Sequence, residues 1–214
     1  MTDDGSVLYE KKDGIAYLTI NRPERMNSLP AKAWSEGLAR LWKDVDTDPK
    51  VRVAIFGAVG DKAFCAGVDV KEQAERRSRP PDEQEQPGRM MATAYQNNVS
   101  KPVITAVNGI CGGGGLMFVS DCDIAIASPK ATFFNPGVTV GIVALVGQAT
   151  WTRWVPFQSM MRMALMGAGE RMSAQRAYEL GMVTELVEDK PVEERAVELA
   201  DTMKSNSPTA MRIA

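Results

Sequence analysis

The 214-residue sequence predicts an α/β fold whose strands are covered on both faces. Three observations predict it. The runs Val51–Phe56 (VRVAIF), Val103–Val107 (VITAV) and Ile124–Ala127 (IAIA) are apolar and β-branched without polar alternation, as in strands buried on both sides. Helix-period segments lie between them, and from Gly141 onward the pattern turns helical.

In order along the chain, Val7–Glu10 and Ile15–Ile20 read as strands, with Asp13-Gly14 between them as hairpin turn chemistry. Asn21-Arg22-Pro23-Glu24 ends the second strand. Ser28 is expected to cap a helix with Pro30 in its first turn, and Trp34, Leu38, Leu41, Trp42 and Val45 form its apolar face. After the strand at Val51–Phe56, Lys71–Gly88 carries ERRSRPPDEQEQPG and no large apolar residue, and reads as a mobile surface loop. The later helices are Gln148–Val155, Ser159–Met166, Ser173–Leu180 (Ser173 as N-cap, Gly181 just past the end) and Pro191–Met203. The chain divides into a core over 1–145 and a helical region over 146–214.

Composition narrows the chemistry. There is no histidine, which removes Ser-His-Asp and Cys-His nucleophiles, the HExxH zinc site and any imidazole acid or base. Cys65, Cys111 and Cys122 form no CxxC and suit a reducing cytosol better than a disulfide framework or metal site. With 25 Lys plus Arg against 27 Asp plus Glu, nothing resembles a nucleic-acid footprint. No apolar stretch reaches the ~20 residues of a membrane span, and the polar, acidic start shows no signal-peptide pattern. A cytoplasmic protein is expected.

Two glycine-bearing segments follow strands: Gly60–Asp69, after Phe56, and Asn108–Gly115, after Val107. The run Gly112–Gly115 is favoured by neither helix nor strand propensity and implies a close backbone approach. A helix beginning there would offer free N–H groups and a positive dipole end to an oxyanion or phosphate. A P-loop fails because no Gly-Lys-Ser/Thr occurs, and a dinucleotide fingerprint fails because its third glycine position falls on Met117. For the glycines alone, a tight structural turn remains open.

Taken together, NRPERMNSL (Asn21–Leu29), KAFCAGVDVKE (Lys62–Glu72), KPVITAVNGICGGGGL (Lys101–Leu116), SDCDIAIAS (Ser120–Ser128), ATFFNPGVTVGI (Ala131–Ile142) and GERMSAQRAYELGMVTELV (Gly169–Val187) make the sequence similar to the crotonase family, the enoyl-CoA hydratases and isomerases. The resemblance covers nearly the whole chain in the family's order. It implies a spiral of ββα turns followed by a helical trimerisation region, and a homotrimer or dimer of trimers. It also implies an acyl-CoA ligand without a tightly bound cofactor, metal, nucleic acid or membrane. The thioester oxygen would be received by the backbone N–H groups of Val68 and Gly114, an arrangement suited to an oxygen that becomes an enolate. Ala66, Asp69, Val70 and Lys71 fall where the family lines its substrate, and Arg25, Lys62 and Lys71 are cations suited to the CoA phosphates.

The two catalytic glutamates of the hydratases match Met117 and Gly137 here, and a further carboxylate used by some relatives falls at or near Leu145. None of these residues transfers protons. Cys65, Glu72 and Tyr95, in or beside the substrate-facing loop by analogy, are candidates for a substitute carrier, while Asp69, Asp121 and Asp123 are expected in structural roles. The default activity is hydration, dehydration or isomerisation of an enoyl-CoA. The alternatives are a non-catalytic acyl-CoA-binding protein, or thioester hydrolysis or decarboxylation. Family chains usually continue well past a segment like Asn206–Arg212.

Overall fold

The computed structural model describes residues 1–80, 90–142, 150–152 and 155–213. β1 (Val7–Lys12) and β2 (Ile15–Ile20) form the expected antiparallel hairpin, Lys12 facing Ile15. Asp13 (φ 50°) and Gly14 (φ 81°) supply the two positive φ values of a type I′ turn, whose twist matches that of the strands. A π-helical turn at Ala33–Gly37 then leads into α1 (Leu38–Thr47), which buries Leu38, Leu41, Trp42 and Val45 as the spacing requires. Ser28 does not cap it. Its hydroxyl donates to the Arg25 carbonyl, and the Pro30 carbonyl receives the first helical N–H groups, from Ala33 and Trp34.

From this point the chain alternates between two sheets. β3 (Val53–Ala58), β5 (Val103–Val107) and β7 (Ile124–Ala127) lie parallel beside β2 in one sheet. Each is followed by a partner in the second sheet: β4 (Ala63–Cys65), β6 (Ile110–Gly112) and β8 (Thr132–Phe134), again parallel. α2 (Val70–Arg77) follows β4 and α3 (Gly115–Ser120) follows β6, so successive ββα units wind as a spiral. Two short strands that the sequence does not announce complete the sheets among the described residues. β9 (Met172–Ser173) joins β8 antiparallel, and β10 (Glu185–Leu186) joins β7 parallel.

Both faces of the first sheet are covered, which explains its unalternating strands. On one side α6 (Val192–Lys204) lays Val192, Ala196 and Ala200 over Ile15, Val53, Ile55, Ile104 and Ile126. On the other, Phe118 of α3 stacks on Phe56 (centroids 4.2 Å apart) and on Trp34 (5.2 Å), with Phe64 edge-on to it. The helices α4 (Phe157–Met166), α5 (Ala174–Glu179) and α7 (Pro208–Ile213) also form. α5 is capped as expected, the Ser173 hydroxyl accepting from Arg176 N–H at 3.1 Å, with Gly181 left-handed just beyond.

Residues 70–77 are helical where the composition predicts a loop. Lys, Glu, Gln, Ala and Arg are good helix formers, and the buried Asp69 carboxylate caps the helix by accepting Lys71 and Glu72 N–H. Residues 81–88 of the expected loop, the 145/146 boundary, the Leu145 position and half of the Gln148–Val155 helix (148, 149, 153 and 154) lie outside the described residues. No helix among the described residues is long and apolar enough to cross a membrane.

Candidate functional site

The two glycine-bearing segments meet because β4 and β6 are parallel neighbours, Cys65 standing opposite Cys111 after a shift of register between Ala63 and Cys65. Ala66–Val68 and Gly112–Gly114 therefore leave the same end of the sheet together. Gly67 has φ +104°, and a Cβ on it would lie 3.0 Å from the Gly114 nitrogen and 3.2 Å from the Gly112 carbonyl oxygen. Only a glycine lets one backbone rest on the other here. Behind the contact, a Cβ on Gly114 would press on the Trp34 ring at 2.8 Å, and one on Gly115 would overlap the Cys65 carbonyl.

This packing leaves two peptide donors. Val68 faces Leu29 as an isolated parallel bridge, in which Leu29 N–H donates to the Gly67 carbonyl and Asp69 N–H to the Leu29 carbonyl, both at 2.9 Å. The Val68 N–H thus points away from Leu29. Gly114 stands immediately before α3, whose first N–H groups have no intrahelical acceptor. Among the described residues neither the Val68 nor the Gly114 N–H has a hydrogen-bond partner, and both residues are only partly buried. The helix behind Gly114 is only six residues long, so individual N–H groups rather than a long helix dipole define this place.

The other sequence-predicted residues are distributed around these donors. Ala66 N–H donates to the Met26 carbonyl at 3.1 Å, which ties the Pro23–Arg25 turn and the exposed Arg25 to the same segment. Val70 and Lys71 are exposed in the first turn of α2. Lys62 lies before the opposite end of β4, roughly 20 Å along the extended chain from Val68. Asp69 has the structural role expected of it: besides capping α2 it pairs with Arg22 Nη1 at 3.1 Å. Burial alone would raise its carboxyl pKa, but the Glu72 and Lys71 N–H bonds and the Arg22 guanidinium carry it below the usual carboxylate value.

Met117 is buried on α3, its N–H donating to the Gly114 carbonyl. Gly137 is brought to the same neighbourhood by β8, since Gly113 N–H donates to the Phe134 carbonyl at 3.2 Å, and Gly137 N–H donates to Asn135 Oδ1. Neither residue offers a proton. Among the expected substitutes, Cys65 is fully buried and its thiol is pushed up to about 12 by desolvation. Tyr95 is exposed on its own turn, and Glu72 stays in the first turn of α2. Asp121 accepts the Thr93 and Ser120 hydroxyls at the end of α3, while Asp123 accepts the Val103 N–H, so both are engaged in local structure. Among the described residues no group of three or more Cys, Asp or Glu is placed to hold a metal ion.

Sequence reasoning missed the support beneath Val68: Arg22, Leu29 and Trp34. Arg22 and Leu29 lie within the NRPERMNSL segment that carries the resemblance, but nothing in their spacing says that they touch Asp69 and Val68.

A family model described as enoyl-CoA hydratase/isomerase matches residues 10–214. The chain is similar to the (E)-benzylidenesuccinyl-CoA hydratase of Thauera aromatica, 35% identical over 216 residues covering 96% of this chain and 79% of that protein. It is also similar to the mevalonyl-coenzyme A hydratase of Aspergillus fumigatus, 39% identical over 201 residues covering 93% and 72%. Among solved structures, an enoyl-CoA hydratase/isomerase from Mycobacterium paratuberculosis superposes with a TM-score of 0.83 at 41% identity, covering 97% of this chain and 78% of that one. A carnitinyl-CoA dehydratase from Mycobacterium avium gives 0.81 at 32%, covering 97% and 80%. Paired strands that spiral between two sheets, and sequence similarity running from residue 10 to the last residues, have one explanation: the chain belongs to the enoyl-CoA hydratase/isomerase family of acyl-CoA-processing enzymes.

Proposed function

We propose that the protein binds an acyl-CoA with the thioester oxygen between the Val68 and Gly114 N–H groups, and that this pair stabilises the enolate formed when the thioester reacts. The supporting observation is the packing of Gly67 on Gly114, which brings onto adjoining segments two peptide donors that have no partner among the described residues. Fixed donors of this kind contribute ~2.7–4 kcal/mol each to a developing oxyanion. Ala66, Asp69 and Val70 frame the thioester side. Arg25 and Lys71, with Lys62 just before β4, are the cations proposed for the CoA phosphates.

The proposed default reaction is hydration, dehydration or isomerisation of an enoyl-CoA. Met117 and Gly137 stand where the family's glutamates are expected, and losing general acid–base help costs about 10²–10⁴-fold per group. Turnover from the cradle alone is therefore expected to be slow. The same two residues favour a second reading, in which the cradle holds acyl-CoA without turning it over. We also propose a homotrimer, supported by the exposed apolar Val138, Val140 and Ile142 on the turn after Pro136 and by Leu165 and Met166 at the end of α4.

The test is the loss of enoyl-thioester absorbance with short- and medium-chain enoyl-CoAs at high enzyme concentration, for the wild type and Gly114→Val. Turnover that falls about 10²–10³-fold in the variant supports the cradle as catalytic. Binding without turnover in the wild type supports the second reading. A folded Gly114→Val protein with full affinity and full activity overturns the cradle assignment.

A further inference from the structure

We propose that Arg22 and Asp69 are positioning residues that aim the Val68 N–H; the proposal rests on the cradle reading above. In a trans peptide the carbonyl and the N–H point in opposite directions within one plane. The Val68 N–H shares its plane with the Gly67 carbonyl, and that carbonyl is held by Leu29 N–H at 2.9 Å. Whatever fixes Leu29 against Gly67 therefore fixes the direction of the donor.

The Leu29 backbone is held from both sides. Its carbonyl accepts Asp69 N–H at 2.9 Å and the Trp34 indole N–H at 3.1 Å. The Arg22 guanidinium then staples the two chain segments together. One terminal nitrogen, Nη1, donates to the Ser28 carbonyl at 2.7 Å, one residue before Leu29, and pairs with Asp69 Oδ2 at 3.1 Å, one residue after Val68. Asp69 is held in turn by the first N–H groups of α2, and the Arg22 backbone by Asn27, whose Oδ1 accepts Arg22 N–H at 2.9 Å. The carboxylate is almost wholly buried and the guanidinium largely so, which favours short, charge-assisted bonds of defined geometry. Neither group carries a proton in this role. Their joint effect is to keep one peptide plane from rotating when an oxygen pulls on it.

The readout is the carbonyl stretching frequency of bound butanoyl-CoA carrying ¹³C at the thioester carbon, measured by isotope-edited infrared difference spectroscopy at saturating protein. In the wild type the band moves to lower frequency on binding. Asp69→Asn keeps a good helix cap but removes the charge pair, and is expected to lose about half of that displacement, as for one of two donors misaligned. Arg22→Gln, which leaves the Asp69 cap in place, is expected to do the same and decides the matter if Asp69→Asn does not fold. Variants that are less stable yet show the full wild-type displacement overturn the positioning role and leave the cradle standing. A wild-type band that does not move on binding overturns the cradle and the positioning role with it.

Discussion

Asn27, Asp69 and Gly67 show how single side chains, or the lack of one, build the proposed cradle. Asn27 is buried with φ 54°, and its Nδ2 donates to the Val59 and Ala63 carbonyls at 2.9 and 2.6 Å, which tethers the NRPERMNSL loop to β4. Asp69 is the residue whose charge matters to stability. Burial opposes its ionisation, but the Glu72 N–H, Arg22 and the Lys71 N–H more than offset this, and the folded carboxyl titrates below the ordinary aspartate range. A carboxylate depressed in this way contributes stability that is fully present above its unfolded pKa and is lost as pH falls through the folded one. The stability difference between wild type and Asp69→Asn, measured by urea unfolding, is therefore expected to stay constant from pH 7 to about pH 5. It should shrink below about pH 4. A difference that instead grows on acidification would contradict a depressed carboxyl.

At the level of elements, patterning and capping decide which segments form and where they stop. α1 shows its apolar face in the sequence, and the Asp13-Gly14 turn shows its hairpin, because both signals are local. α2 hides because its sequence has no large apolar residue after Val70; its start is set by the Asp69 cap, and its residues are helix formers regardless of apolar pattern. α5 is short enough for its cap to matter. Ser173→Ala removes the hydroxyl that accepts Arg176 N–H and is expected to cost about 1 kcal/mol, seen as a lower melting temperature without loss of acyl-CoA affinity. The core offers the contrasting case. Phe118 is buried between Phe56 and Trp34, so truncating it would cost several-fold more than the cap and would loosen α3 beneath Gly114.

For the whole molecule, the spiral covers both faces of the first sheet yet leaves apolar side chains exposed on the turn after Pro136 and on α4. Val140 and Leu165 are each more than half exposed, although Thr139 Oγ1 ties the 137–140 turn to Ala168 N–H beside α4. Covering such side chains is worth ~25 cal/mol per Å² removed from water, and a self-association that buries them is the proposed outcome. Light scattering coupled to gel filtration is expected to give a trimeric mass for the wild type and a smaller species for Leu165→Glu. A monomeric wild type would refute the assembly. A trimer unaffected by Leu165→Glu would place the interface elsewhere.

Much of this protein was legible in its sequence, and the division follows the range of the interactions. Turn chemistry, helix periodicity, strands covered on both faces and the absence of histidine depend on residue type and local spacing, and they sufficed for the α/β class and for what the chemistry excludes. The long ordered run of motifs carried the resemblance, and with it Val68, Gly114, Met117 and Gly137 as the positions of interest. The strands β4, β6, β8, β9 and β10 are only two or three residues long, too short to show a period, and only their pairing makes them visible. The meeting of Gly67 with Gly114, and the staple of Arg22 across Ser28 and Asp69, depend on the register of β4 against β6 and on the bridge from Leu29 to Val68. Apart from the Arg22–Ser28 bond, those are contacts between residues tens of positions apart, and local propensity carries no information about them; the tertiary structure alone decides them.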